Sequence, residues 1–232
     1  MKAILFDVDD TLYDQLIPFQ QAFEKNFAFK NIPVEELYIL SRELSDEVFH
    51  LSESGKMSIQ DMHIYRIKTA MECFDKKLSD EEAISFQNDY QRFQREIQLT
   101  SDVKESLKLC LEKGITIGVI TNGPKEHQRK KIKKLELEKW IPKENILISS
   151  EVGFAKPDIK IFQLAESVMN LNSKTTYYVG DSFNNDMIGA KNAGWKVVWS
   201  NRRNHQMPDN SIDIDYLLNN KRTLLEFVRK IT

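Results

Sequence analysis

Apolar residues change their spacing along the chain, and each change marks a different kind of element. Ala3 to Phe6 form an unbroken apolar run, which predicts a short strand buried on both faces. From Tyr13 to about Thr100 the spacing becomes helical: Phe19, Phe23 and Phe27 fall four apart, and Leu37, Leu40, Leu44 and Val48 form a second stripe. Ser52 to Ser58 breaks that periodicity around Gly55. Ser58, with Asp61 three residues later, predicts the start of the next helix, through Ile59, Met62, Tyr65, Arg66 and Thr69. Another helix begins near Ser79 to Glu82 and runs through Phe86, Tyr90 and Phe93. This stretch reads as four or five helices inserted after the first strand, a lid whose exposed loop at Gly55 is placed to face a substrate.

Beyond Thr100 helix and strand alternate. Asp102 to Lys113 is amphipathic and ends at Gly114, a usual helix stop. Ile115 to Ile120, Ile146 to Ile148, Thr176 to Val179 and Trp195 to Trp199 are strand-like, with a last short strand expected at Asp213 to Tyr216 and a helix at Leu224 to Val228. Pro157 predicts the first turn of a helix with Lys156 just ahead of it. Alternation of this kind gives an α/β fold, a doubly wound (Rossmann-like) parallel sheet from residues 1–13 and 100–232, with an all-helical cap inserted at 14–99.

Composition narrows the function classes. The chain has 232 residues, 41% hydrophobic and 29% charged, with 33 Lys and Arg against 35 Asp and Glu. That near-neutral balance makes no global electrostatic case for nucleic acid or an anionic membrane. The run Lys125, Arg129, Lys130, Lys131, Lys133, Lys134 reads as a solvated helix face rather than a nucleic-acid patch, because no aromatic is interleaved before Trp140. The N-terminus has the pattern of neither a signal peptide nor a membrane span. Cys73 and Cys110 lack metal-type spacing and suit a reducing compartment. A cytoplasmic protein is expected, a monomer or small homo-oligomer, without nucleic-acid or membrane partners.

Candidate chemistry collects where the predicted strands end. Asp7, Asp9 and Asp10 follow the first strand, and in an extended segment residues two apart project to the same side. Asp7 and Asp9 therefore converge, and their repulsion is relieved by a divalent cation or by a retained proton. The alternative is a turn with a helix cap. Thr121-Asn122-Gly123 closes the second strand, either as a ligand site or as a simple turn. Asp181 and Asp186 are five apart across a strand-to-helix turn, a spacing that lets both approach one cation.

Asp7-Val8-Asp9-Asp10-Thr11-Leu12, the apolar strand closed by Thr121, Lys156 before Pro157, and Gly180-Asp181 with Asp186 together resemble, in order, the signatures of the haloacid dehalogenase superfamily. The resemblance implies Asp7 as nucleophile and Asp9 as general acid and base, the latter needing a pKa near working pH. It implies Thr121 as a hydrogen-bond donor to a phosphoryl oxygen, with Thr11, Asn122 and Gly123 beside it, and Lys156 neutralising nucleophile and phosphoryl group. Mg²⁺ would be held by Asp7, the backbone carbonyl of Asp9 and Asp181, with Asp186 supporting the metal shell or the lysine. Asp9 argues for phosphoryl transfer over dehalogenation, since a leaving halide needs no general acid. The stretch from Asp9 to Asp14, with Ser54-Gly55-Lys56 and Arg66, resembles the nucleotidase-like branch, which implies Lys56 and Arg66 in substrate binding. The expected function is a phosphatase acting on a nucleoside monophosphate or sugar phosphate through an aspartyl-phosphate. Alternatives are a phosphomutase, a dehalogenase, or a non-catalytic binding or regulatory protein on the same fold.

Overall fold

The computed structural model of the chain describes residues 2–208, 212–219 and 221–232. It divides into two compact units, one made of Met1–Asp14 and Gln98–Thr232, the other of Gln15–Ile97.

The first unit is built on a six-stranded sheet of order β3-β2-β1-β4-β5-β6. The strands are β1 Ala3–Phe6, β2 Thr116–Thr121, β3 Ile146–Ile148, β4 Thr176–Gly180, β5 Lys196–Ser200 and β6 Tyr216–Leu218. Every neighbouring pair is parallel. The chain winds outward from β1 to β3 and then returns to the other side of β1 for β4 to β6. That reversal leaves a crevice at the carboxyl ends of β1 and β4, where open α/β sheets bind ligands. All four residues of β1 are buried, as an apolar run covered on both faces requires. Phe6 stands level with Val119 and with Val179, and the Asp7 amide continues the ladder to the Val179 carbonyl at 2.9 Å. Asp7, Thr121 and Asp181 thus leave three adjacent strands at nearly the same height. Beneath them Leu5, Phe162, Tyr178, Trp195, Val197 and Trp199 share one buried cluster.

Helices α5 (Ser101–Glu112), α6 (Lys125–Lys134), α7 (Ser149–Val152), α8 (Ile159–Met169), α9 (Gly189–Asn192) and α10 (Leu224–Ile231) complete this unit. Most boundaries shift by a few residues at most, and two differences have a clear physical reason. The sixth strand begins at Tyr216 rather than Asp213, because Asp213 is exposed and the Asp215 carboxylate accepts from the Val197 amide and from Lys191, both at 2.9 Å. Pro157 does not open α8: Lys156–Pro157 is a cis peptide in a turn, and Asp158 caps the helix by accepting from the Lys160 amide at 2.9 Å.

The second unit holds four α-helices, labelled here αA (Leu16–Asn26), αB (Val34–Glu53), αC (Ile59–Glu72) and αD (Asp80–Phe93). Ser58 caps αC through the Asp61 amide, and Ser79 and Glu82 form a full capping box on αD, satisfying helix N–H groups that would otherwise lack partners. The expected stripes face inward: Phe19, Phe23, Phe27, Leu37, Leu44, Phe86 and Tyr90 are buried together. Phe19 meets Phe86 edge-to-face at 5.1 Å between centroids and Tyr90 at 5.6 Å. Such pairs are worth about 0.5–1.5 kcal/mol each beyond burial of their area.

Candidate active site

Four sequence segments supply the site, and each is fixed by its own backbone before any side chain acts. Asp7 sits one residue past β1 and is 6% exposed. The turn after it passes through Asp10 in the left-handed region at φ 56, a conformation a short polar residue tolerates. Arg203 grips Asp10 with two hydrogen bonds of 2.9 and 3.1 Å and reaches Asp14 as well, while Arg202 donates to the Thr11 carbonyl at 3.0 Å. Asn122 ties the end of β2 to the turn at Lys156, donating to the Lys156 carbonyl at 2.8 Å and accepting from its amide at 2.9 Å. The Gly123 amide donates to Ser149 Oγ at 2.9 Å, and its φ of +135 is one that a side chain would strain.

Lys156 is the centre of the first charge cluster. Its ammonium is buried and donates to Asp7 Oδ1 at 2.7 Å, Asp186 Oδ1 at 2.6 Å and the Tyr178 hydroxyl at 2.8 Å. Tyr178 in turn donates to the Ile120 carbonyl at 2.7 Å. Three acceptors match the three protons of an ammonium, so burial, which would lower the Lys156 pKa, is outweighed by Asp186 and Asp7 and the group stays charged. The other Asp186 oxygen accepts from the Ser182 amide at 3.0 Å. Gly180 makes room for it: a Cβ there would lie 2.3 Å from Asp186 Oδ2, so no larger residue fits.

Asp7, Asp181 and Asp186 each offer an oxygen within 4.8 Å of the others. Burial raises the Asp7 carboxyl to about 7; Lys156 pulls it down, and the neighbouring charges of Asp186 and Asp9 push it up. Two carboxylates on one ammonium, with the half-buried Asp181 carboxylate beside them, leave excess negative charge, the setting that a hard divalent cation relieves. The donor set therefore fits such an ion.

Asp9 lies in a second cluster. Lys131 Nζ donates to both of its oxygens at 2.6 and 2.7 Å, Gln128 Nε2 lies 3.1 Å from Oδ2, and the Tyr13 hydroxyl donates to Oδ1. Gln128 Nε2 also reaches Thr121 Oγ1 at 2.6 Å and the Asn122 carbonyl at 3.0 Å. Burial works to raise the Asp9 pKa, but Lys131 and Tyr13 outweigh it and hold the carboxyl well below the usual carboxylate range. A pKa near working pH is thus not what this arrangement gives. Asp7 and Asp9 each pair with a lysine of their own, and the charge of Asp9 still reaches Asp7.

The sequence-based site residues separate cleanly. Asp7, Lys156, Asp181 and Asp186 form one cluster; Asp9 and Thr121 join through Gln128 in the other; Asn122 and Gly123 shape the loop between them. Thr11 Oγ1 is buried without a hydrogen-bond partner among the described residues. Lys56 and Arg66 belong to the helical unit. Lys56 is exposed, whereas Arg66 is buried, donates to Gln87 Oε1 at 2.9 Å and lies over the Tyr90 ring, burial drawing its pKa down to about 10. The basic helix requires a correction, since Lys131 is 5% exposed and Gln128 is 1% exposed, not parts of a solvated face. Their signal was present: positions 128, 131, 132 and 135 share one helical face, and Ile132 and Leu135 are buried beside them. Arg203 carried no sequence signal, being 193 residues from Asp10.

A buried aspartate at a strand end, paired with a buried lysine and flanked by two further carboxylates, stands at the ligand-binding edge of a doubly wound sheet. Residues 1–194 match the haloacid dehalogenase-like hydrolase family, and the chain belongs to that family. It is 31% identical over 203 residues to a glyceraldehyde 3-phosphate phosphatase of Methanothermobacter thermautotrophicus, covering 87% of this chain and 86% of that one. Over 105 residues it is 33% identical to the pyrimidine 5'-nucleotidase YjjG of Escherichia coli, covering 45% and 46% of the two chains. Among solved structures, a HAD phosphatase from Thermococcus onnurineus superimposes with a TM-score of 0.61 at 30% identity, covering 100% of this chain and 97% of that one.

Proposed function

We propose that this hydrolase is a Mg²⁺-dependent phosphatase that cleaves a small phosphorylated metabolite through a phosphorylated Asp7. The observation that carries this reading is the set of buried Asp7, Asp186 and Lys156 with half-buried Asp181, gathered beyond the ends of β1 and β4. Asp7, Asp181 and Asp186, with the Asp9 carbonyl, would hold the ion. When bound, Mg²⁺ offsets the charge of the phosphate and lets Asp7 ionise beside it.

The chain's own groups carry the remaining steps. Lys156 lowers the repulsion between the Asp7 carboxylate and the phosphoryl oxygens. Thr121, Asn122, Gly123 and the unpartnered hydroxyl of Thr11 are the polar groups offered to those oxygens. An Asp7 oxygen bonds phosphorus as the bond to the leaving oxygen breaks; Asp9, which Lys131 holds ionised in this structure, must first take up a proton from solvent and then delivers it to that oxygen. Water then gives its proton to Asp9 and attacks phosphorus, and the Asp7–phosphorus bond breaks to release phosphate.

A phosphorylated sugar of triose size is the favoured substrate, because the glyceraldehyde 3-phosphate phosphatase resembles this chain over most of its length. A nucleoside monophosphate is the second reading, supported by the nucleotidase match. Exposed Lys56 contributes to that choice, whereas Arg66 is engaged by Gln87 and Tyr90 within the helical unit. No helix among the described residues is long and apolar enough to cross a membrane; the cytoplasm, where Cys73 and Cys110 stay as free thiols, is the proposed location.

Hydrolysis of p-nitrophenyl phosphate, glyceraldehyde 3-phosphate and uridine monophosphate, each with Mg²⁺ or with EDTA, tests the proposal. Turnover that EDTA stops and Mg²⁺ restores, and that Asp7→Asn abolishes while circular dichroism stays native, is expected. Activity that survives EDTA or Asp7→Asn contradicts it.

A further inference from the structure

Gln128, a buried polar side chain on α6, meets each of the three residues that close β2: Thr121, Asn122 and Gly123. We infer that Gln128 is a positioning residue that makes the Thr121 hydroxyl a donor to the phosphoryl group and to nothing else. This role rests on the phosphatase reading above and adds to it the side chain that sets the direction of the Thr121 hydrogen bond.

The Gln128 amide can stand only one way round. Its Nε2 lies 2.6 Å from Thr121 Oγ1, 3.0 Å from the Asn122 carbonyl and 3.1 Å from Asp9 Oδ2. A backbone carbonyl can only accept, so the end of the amide that faces the loop must be the NH₂. An amide nitrogen donates and does not accept. Thr121 Oγ1 is therefore the acceptor in its contact with Gln128, its one hydrogen bond among the described residues, and the hydroxyl proton is left over. Thr121 is buried, where a donor without an acceptor is costly. A phosphoryl oxygen just past the end of β2 supplies that acceptor.

The rest of the side chain shapes the same loop. A Cβ on Gly123 would stand 3.3 Å from Gln128 Cγ, so the loop lies directly against the residue that bonds it. Gln128 Oε1 is itself buried without a partner among the described residues. An amide placed only to support α6 would not leave that acceptor unmet; one placed to donate into the loop does. Thr121 serves the phosphoryl group whatever alcohol departs, so a residue acting through it affects aryl and alkyl esters alike. A residue that merely supported the fold would matter equally with and without the Thr121 hydroxyl.

The test is a double-mutant cycle on kcat/KM for p-nitrophenyl phosphate and glycerol 3-phosphate at saturating Mg²⁺, repeated on the affinity for inorganic phosphate by calorimetry, which needs no turnover. Thr121→Val, which keeps the shape and loses the hydroxyl, is expected to lower kcat/KM by about 10²-fold, as removal of one donor to a developing oxyanion does. Gln128→Met should lower it by about 10-fold on both esters, the worth of one directed hydrogen bond. The same loss should appear when Gln128→Met is added to Thr121→Ser, which keeps a hydroxyl. Added to Thr121→Val, it should cost less than about 2-fold, because no hydroxyl remains to direct. Phosphate affinity should follow the same pattern. Gln128→Ala takes the place of Gln128→Met if that variant does not fold by circular dichroism. A Gln128 loss that persists in full with Thr121→Val, that falls on one ester only, or that is absent throughout overturns the inference while the phosphatase reading stands. Failure of the unmodified protein to hydrolyse either ester overturns both.

Discussion

The two units bury polar groups for different ends. In the sheet unit, buried charges converge at strand ends: Asp7 and Asp186 share Lys156, and Lys131 holds Asp9. In the helical unit the core cluster is apolar, aromatic and aliphatic side chains packed together, and the buried cation Arg66 is engaged by a neutral Gln87 and the face of Tyr90. Charge placed against charge in a low-dielectric setting is reactive and depends on what binds there. A cation held by an amide and a ring is quiet, and serves packing. On the proposed function the sheet unit carries the chemistry, and the helical unit carries shape and, through exposed Lys56, a part in the choice of substrate.

If that division holds, variants in the two units should fail in different ways. The largest effect expected is at the carboxylate cluster. Asp181→Asn should reduce turnover at fixed Mg²⁺ by at least about 10²-fold, about 2.7 kcal/mol of lost transition-state stabilisation, with the thermal midpoint little changed; activity recovered only at much higher Mg²⁺ would sharpen the assignment, and unchanged Mg²⁺ dependence would break it. The same cluster predicts a pH effect of definite sign. Asp7, raised to about 7, carries a proton below that pH that the ion must displace. Mg²⁺ affinity measured by calorimetry should therefore rise roughly tenfold per pH unit up to 7 and level off above it; affinity that falls with rising pH would contradict the burial of Asp7.

An effect of about 3–5 kcal/mol on stability is expected from Phe86→Ala, which removes a fully buried ring touching Phe19, Phe27 and Tyr90. Hydrogen exchange should show lost protection in αA and αD, with Mg²⁺ binding to the sheet unit retained. Loss of protection spread evenly over both units would mean the division is only formal. Lys56→Ala should have the smallest effect, about 10-fold in kcat/KM for the preferred metabolite, the worth of one charge-assisted hydrogen bond, and almost none for p-nitrophenyl phosphate. Equal losses would remove Lys56 from substrate choice.

Much of the sheet unit could be read from the chain because its strands are short apolar runs ending in polar residues. Ile146 to Ile148 appears as read, and Asp7, Asp181 and Asp186 come together as their strand-end positions require. What was missed depends on contacts that periodicity does not encode. Lys131 was hidden in a run of lysines, where net charge drew attention away from the helical face it shares with Ile132. Arg203, just past β5, meets Asp10, just past β1, only because the strand order leaves a single strand, β4, between β1 and β5, which no local pattern specifies. The start of β6 was misplaced because the Asp215 side chain, rather than its backbone, bonds to β5. In the helical unit the stripes were legible and the partners of Arg66 were not, since a lone arginine beside Gln87 and Tyr90 looks the same in sequence whether it points inward or outward.

The central claim is that Asp7 becomes covalently phosphorylated, and rapid acid quench of a single turnover followed by peptide mass spectrometry tests it directly. The account predicts one phosphoryl group on the peptide carrying Asp7, appearing before free phosphate is released and absent in Asp7→Asn. Free phosphate formed at full rate with no phosphorylated peptide at any time, or a phosphoryl group on another residue, would contradict it.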